Sequence, residues 1–123
     1  MKNFKKFLKK VTNQYFIADI AANHNGDLIK AKELIHAASE SGADAAKFQN
    51  FLAKTIVSDV GFKILGEQIS HQSKWKKSVY ETYRDAELPF EWTDELSSTC
   101  KKYNIDFFSA SYDIEITKKL KKF

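Results

Sequence analysis

A lysine lies inside an apolar stretch of the chain, where an ammonium group needs a negative partner. Lys47 stands between Ala46 and Phe48, in a run with the small, apolar composition of a strand that is covered on both faces. Lysine is rarely buried unless it is paired, because removing its charge from water is costly. We therefore expect Lys47 to bind a phosphate or a carboxylate; an exposed lysine at the end of a strand is the simpler alternative. Gln49 falls on the same face of this strand and is expected to hydrogen-bond the same ligand.

A second group of polar residues follows an earlier segment rich in β-forming residues. Asp19 is flanked by apolar residues, and the run Asn23-His24-Asn25 precedes a glycine. Asp19 either accepts hydrogen bonds from the next loop or has a catalytic or binding role, since barrel enzymes build their sites at strand ends. A turn explains the asparagines, whereas an imidazole in a polar loop suits the binding of hydroxyls or phosphate.

Hydroxyl groups follow a third segment of this kind. Ser109 and Ser111 lie on either side of an alanine, at the point where the predicted strand ends. Hydroxyls in this position suit phosphate binding, although serines are also common in loops. Asp113 has the position expected of a helix N-cap.

The elements that would position these residues alternate along the chain. The pattern predicts strands at 14–20, 43–48 and 105–110, and helices at 28–41, 74–87, 93–103 and 114–120, with a weaker helix at 62–69. Predicted caps are Asp27 and Thr93 at helix starts and Gly42 and Asn104, in left-handed conformation, at helix ends. This order predicts a parallel sheet with right-handed crossovers, so that the strand ends carrying the polar residues meet at one edge.

The predicted fold class is α/β, a partial TIM (β/α)₈ barrel made of its first three parallel strands and their helices. A whole barrel takes about 250 residues, and this chain has 123. We expect a single incomplete domain over 1–123, with a basic leader at 1–12 and the amino-terminal part of a barrel at 13–123. A complete small α/β domain is the alternative. The apolar spacing of the leader fits an amphipathic helix that closes the barrel or, alternatively, lies on a membrane surface.

Charge and cysteine content exclude several classes of function. The net charge is +4, but nine lysines lie at 1–10 and 118–122, so the rest of the chain is net negative and does not suit nucleic-acid binding. Cys100 is the single cysteine, expected to be a small buried residue. There is no apolar run long enough for a membrane span and no secretory signal, so we expect a cytoplasmic protein without a membrane partner.

Four segments in matching order resemble the amino-terminal part of the sialic acid synthases, the N-acetylneuraminate synthase family. They are residues 16–27 (FIADIAANHNGD), 41–49 (SGADAAKFQ), 78–81 (SVYE) and 107–113 (FFSASYD). The resemblance implies a (β/α)₈ barrel that works as a homodimer. The implied reaction condenses phosphoenolpyruvate with an N-acetylated amino sugar such as N-acetylmannosamine, releases phosphate, and uses a divalent metal, typically manganese.

The resemblance also implies roles for individual residues. Lys47 matches the lysine that binds phosphoenolpyruvate, and Asp19 matches a position near the reacting sugar that is usually glutamate. Asn23, His24 and Asn25 match a signature that lines the barrel mouth.

Two further parts of the resemblance are less direct. Gln72 falls in a sugar-contacting segment. Ser109 or Ser111 would replace the threonine of the family's Ser-Thr-Pro, whereas the family's metal-binding histidines lie in later strands and have no counterpart in this chain. We expect a fragment of a synthase that is inactive alone; a non-catalytic paralogue that binds an anion or pairs with a complete synthase is the alternative.

Overall fold

Three parallel strands and six α-helices alternate in the computed structural model, which describes residues 14–65 and 74–123. The strands are β1 (Ile17–Ala21), β2 (Ala45–Asn50) and β3 (Asp106–Ser111). The helices are α1 (Leu28–Glu40), α2 (Ala53–Ile56), α3 (Asp59–Leu65), α4 (Val79–Asp85), α5 (Thr93–Lys102) and α6 (Ile114–Leu120), and a 3₁₀ turn at Phe90–Trp92 leads into α5. The three predicted strands are confirmed, each with bounds shifted by one to three residues.

The sheet has the order β1-β2-β3, and both neighbouring pairs are parallel, as predicted. Asp44 ties the amino ends of the strands together. Its carboxylate accepts a hydrogen bond from the Phe16 N–H at 2.9 Å, and its own N–H donates to the Phe16 carbonyl at 2.7 Å. Its carbonyl accepts from the Asp106 N–H at 2.8 Å. These contacts fix where each strand begins.

One face of the sheet is covered by helices. Ile20 and Phe48 on the strands pack with Ile35 of α1 and with Leu96 and Cys100 of α5 in a single buried cluster. The prediction that Cys100 is a buried apolar residue is confirmed, and burial raises the pKa of its thiol to about 12. This side of the sheet is therefore the hydrophobic core.

The opposite face carries the residues that alternate with the core positions. Asp19 lies opposite Lys47 in the ladder, and Lys47 lies opposite Phe108. Because side chains alternate between the two faces of a strand, these three residues share the face turned away from the helices. In a TIM barrel this is the interior face.

Most of the predicted helix ends are confirmed. Asp27 caps α1 and Asp113 caps α6 through their side chains, while Gly42 and Asn104 have φ of 88° and 55°. Where the weaker helix was expected at 62–69, the structure has α3, which ends at Leu65. The remainder of that prediction and the basic leader at 1–12 lie outside the described residues.

Two helix starts differ from the prediction. Helix α4 begins at Val79 rather than at 74, because Ser78 and Glu81 form a reciprocal capping box at 3.0 and 3.1 Å. Thr93 is not an N-cap: it is already helical and buried, and its hydroxyl donates to the Phe90 carbonyl at 2.7 Å. The 3₁₀ turn before it leaves no extended residue for capping.

Over the part of the chain that the structure describes, no helix is long and apolar enough to cross a bilayer.

Replacing Asp27 by alanine should lower the free energy of unfolding by about 1 kcal/mol. The Asp27 carboxylate accepts from the N–H groups of Ile29 at 2.7 Å and Lys30 at 3.1 Å, and alanine removes both bonds. Urea unfolding at constant pH measures the change. Glu33→Ala, an exposed change in the same helix, is the matched control and should shift the midpoint much less; equal shifts for both variants would contradict the capping role.

Candidate functional site

An ion pair joins the middle residues of β1 and β2. The ammonium of Lys47 lies 3.2 Å from an oxygen of Asp19, and the side chains are 26% and 55% exposed, respectively. The pairing follows from the register, since the two residues are partners in the parallel ladder. The sequence predicted a negative partner for Lys47, and the structure brings these two candidate residues together.

This ion pair leaves the lysine able to bind a further anion. A lysine ammonium carries three N–H donors, and Asp19 takes one of them. A partly exposed pair of this kind contributes only about 0–1 kcal/mol, so an incoming phosphate or carboxylate has little to displace. Asp19 thus orients the ammonium without saturating it.

Beyond the ion pair, Gln49 is part of the wall of a pocket of about 480 Å³. Gln49 shares the face of Lys47, as predicted, because the two residues are two apart in one strand. The other residues lining the pocket are uncharged and mostly aromatic or branched: Phe51, Ile56, Val57, Phe62, Val79, Tyr83 and Tyr112. Among the described residues, the site therefore joins an ion pair to a pocket with an uncharged lining.

The pocket aromatics were not among the predicted site residues. Phe51 directly follows β2 and Tyr112 directly follows β3, so both leave the sheet at the edge where Gln49 lies. Phe51 meets Tyr83 of α4 at 5.7 Å and Tyr112 at 6.2 Å between ring centroids, both edge to face. The sequence feature that could have identified the pocket residues is an aromatic residue directly after each of two strands.

His24 departs from the expectation of an imidazole open to ligands in a polar loop. Its ring is fully buried and meets the ring of Trp92 edge-on, with centroids 5.9 Å apart. Its Nδ1 accepts a hydrogen bond from the Gly26 N–H at 3.1 Å. Burial, and to a lesser extent the charge of Lys30, lowers the pKa of His24. The structure thus gives His24 a place in the packing of the β1–α1 loop.

The asparagines beside His24 are exposed and shape the turn. Asn23 donates from its amide to the Ile20 carbonyl at 3.0 Å, while Asn25 and Gly26 have φ of 53° and 70°. These left-handed values are those that asparagine and glycine tolerate best. The turn interpretation is confirmed, and a ligand role for Asn23 and Asn25 stays a prediction.

Ser109 and Ser111 are not brought together with Lys47. Ser109 lies opposite Phe48, on the core side of the sheet, and donates its hydroxyl to the side chain of Asn50. Ser111 donates to the Asp113 carbonyl at 2.9 Å, at the start of α6. The residue of this strand that lies opposite Gln49 is Ala110. Strand alternation therefore argues against either serine replacing the expected threonine hydroxyl.

Two parts of the implied site, Gln72 and the metal ligands that the resemblance assigns to later strands, are not found among the residues that the structure describes. Gln72 lies outside them. Within residues 14–65 and 74–123, no three side chains of histidine, cysteine, aspartate or glutamate cluster as a metal site would require. The described residues therefore do not fit the divalent metal that the resemblance implies.

Comparison with known proteins supports the resemblance to the sialic acid synthases through a family model, related sequences and a solved structure. The model of the NeuB family matches residues 34–123. An N,N'-diacetyllegionaminic acid synthase of Legionella pneumophila is 40% identical over 99 residues, which are 80% of this chain and 27% of that protein. A pseudaminic acid synthase of Helicobacter pylori is 36% identical over 100 residues, covering 78% and 28% of the two chains.

The fold comparison agrees with these sequence matches. The crystal structure of an N-acetylneuraminic acid synthetase from Leptospira borgpetersenii, in complex with citrate, matches with a TM-score of 0.67 and 27% identity, covering 89% of this chain and 34% of that one. The prediction of a partial barrel is thereby confirmed. The chain spans 27% to 34% of the length of these relatives.

The free energy of unfolding should fall as the pH is lowered from about 7 to about 5. Unfolded, His24 titrates near its usual value of about 6.5, whereas folded it has a lower pKa. Between the two values the unfolded state binds more protons, so acid destabilises the fold. Urea titrations of the wild type and of His24→Asn at several pH values measure this.

His24→Asn should flatten this pH dependence, since it removes the buried titrating group. His36→Asn is the matched control, because His36 is exposed on α1 and stacks on Tyr103 at 4.6 Å. A wild-type dependence that survives unchanged in His24→Asn would show that another group causes it.

Proposed function

Because the chain belongs to the NeuB family, we propose that it carries part of the phosphoenolpyruvate-binding site of a sialic-acid-type synthase. Members of this family are sugar acid synthases. The proposed whole reaction joins phosphoenolpyruvate to an N-acetylated amino sugar such as N-acetylmannosamine. The chain spans 27% of its Legionella relative, so the activity of the whole enzyme is a proposal that extends beyond these residues.

The ion pair between Lys47 and Asp19 supports this proposal. Phosphoenolpyruvate has a carboxylate and a phosphate, and its binding needs cationic donors. Lys47 offers such a donor and is held in place by Asp19 at 3.2 Å. The Leptospira relative was solved with citrate, which also carries several carboxylates, in keeping with an anion site in this fold.

In the proposed reaction, the methylene carbon of phosphoenolpyruvate forms a new bond to the aldehyde carbon of the open-chain sugar. Water adds to the carbon that bears the phosphate ester, and the C–O bond to phosphate breaks, leaving a 2-keto acid and inorganic phosphate. The role of Lys47 is to bind and orient the anionic reactant. Asp19 positions the ammonium, and holding both reactants in one orientation lowers the barrier.

Two parts of the proposal concern the whole enzyme. A divalent metal, manganese by resemblance, would polarise the sugar aldehyde, and its ligands would have to come from beyond the described residues of this chain. A homodimer is proposed on the same resemblance. The roles of Lys47 and Asp19 depend on neither.

Lys47→Gln should weaken the binding of phosphoenolpyruvate to this chain by about tenfold or more, since a hydrogen bond to a charged group contributes about 1.5–3 kcal/mol. Calorimetric titration measures the dissociation constant. Lys101→Gln removes the same charge from an exposed position on α5 and should leave it unchanged. Equal affinities for wild type and Lys47→Gln would remove Lys47 from the site.

The chain by itself should release no phosphate from phosphoenolpyruvate in the presence of manganese and N-acetylmannosamine. It covers only part of the barrel of its relatives, and the resemblance assigns the metal ligands to later strands. A colorimetric phosphate assay measures this. Turnover above the rate without protein would show that these residues suffice. Lys47-dependent binding without turnover, even when the remainder of a synthase barrel is supplied, would favour the non-catalytic anion-binding alternative.

A further inference from the structure

We propose that Asn25 is a site of spontaneous deamidation, and that the buried imidazole of His24 protects it by holding the N–H of Gly26. The modification converts the asparagine into aspartate or isoaspartate, and water is its only co-reactant. Asparagine followed by glycine, as at 25–26, is the sequence most prone to this reaction, because glycine has no side chain to hinder the attack. The inference is independent of any synthase activity.

The reaction takes place between two neighbouring groups of the chain. The backbone nitrogen of Gly26 must lose its proton and attack the side-chain carbonyl carbon of Asn25. A new N–C bond forms there, and the bond to the side-chain nitrogen breaks, so that ammonia leaves. Water then opens the resulting cyclic imide at one of its two carbonyl carbons. Opening at one carbon leaves aspartate, and opening at the other leaves isoaspartate, in which the main chain runs through the former side chain.

Asn25 and Gly26 are the exposed centre of a tight turn. Both have positive φ, 53° and 70°, and the Asp27 N–H donates to the His24 carbonyl across them at 3.0 Å. These are the features of a type I′ turn. In such a turn the Gly26 nitrogen is directed away from the Asn25 side chain. Water therefore reaches Asn25, but the imide ring can close only after rotation about the Asn25 Cα–C bond, which the turn restrains.

His24 adds a second restraint, which acts on the proton of Gly26. The Gly26 N–H donates to His24 Nδ1 at 3.1 Å, and the imidazole ring is fully buried against Trp92. A hydrogen-bonded N–H is shielded from bases in the solvent until its segment opens, which is the condition that also governs amide hydrogen exchange. His24 is itself a poor base for this proton, since burial lowers its pKa and disfavours the imidazolium that would form.

The folded chain should deamidate at Asn25 at least about tenfold more slowly than the chain unfolded in guanidinium chloride, at the same neutral pH and temperature. Mass spectrometry of the proteolytic peptide that contains residue 25 measures both rates, because the modification replaces an amide by a carboxyl group. Asn25→Asp supplies the standard for the aspartate product. Equal rates in the folded and the unfolded chain would overturn the protection, and an unfolded chain that keeps its Asn25 amide would overturn the site itself.

His24→Phe separates the hydrogen bond from the packing of the ring. Phenylalanine keeps an aromatic ring against Trp92 but offers Gly26 no acceptor. The folded variant should therefore deamidate about threefold faster than the wild type or more, as expected from the loss of one hydrogen bond, while the two unfolded chains react alike. His36→Phe, the same exchange at an exposed position of α1, is the matched control and should leave the rate unchanged. Equal folded-state rates for His24→Phe and the wild type would remove the protective role of His24.

Hydrogen exchange of the wild type tests the same point without a variant, and it decides the matter if His24→Phe does not fold. Deamidation of Asn25 requires a free Gly26 N–H, so folding should slow it by at least the factor by which folding slows the exchange of the Gly26 amide. Both factors should fall together as denaturant is raised below the unfolding midpoint. A well-protected Gly26 amide beside an Asn25 that deamidates at the unfolded rate would overturn the inference.

Discussion

The register of the parallel sheet is the constraint on which the rest of this structure depends. The Asp44 carboxylate accepts a hydrogen bond from the Phe16 N–H, and the Asp44 carbonyl accepts one from the Asp106 N–H. One residue thus aligns the amino ends of three strands. A slip by one residue would turn every side chain of a strand to the other face. With the register fixed, Lys47 falls opposite Asp19 and shares a face with it.

The same register divides the strand ends into two environments. The face turned from the helices carries the Lys47 ammonium and the Gln49 amide, next to an uncharged aromatic pocket. The face turned to the helices carries Phe48, which packs in the core, and Ser109, which donates a hydrogen bond to the side chain of Asn50. The candidate site residues Lys47 and Gln49 are therefore on one side of the sheet.

The loop after β1 shows how packing changes the meaning of a motif. In sequence, His24 stands between two asparagines and suggests a polar, solvent-facing group. In the structure its ring is buried against Trp92, and its Nδ1 accepts from the Gly26 N–H, so it helps to hold the turn that leads into α1. An imidazole nitrogen can accept a hydrogen bond within a turn or from a ligand, and the sequence alone does not separate the two.

The sequence by itself determined the order of strands and helices and the caps at Asp27 and Asp113, because these follow from local patterns. It predicted an anionic ligand for Lys47 from the cost of burying a charge, and that stays a prediction. Tertiary structure decided what needs contacts between distant segments. It set Lys47 opposite Asp19, turned Ser109 towards Asn50, and brought Phe51, Tyr83 and Tyr112 around one pocket. Periodicity along a chain indicates which residues share a face; only the pairing of strands and the packing of helices determine what that face meets.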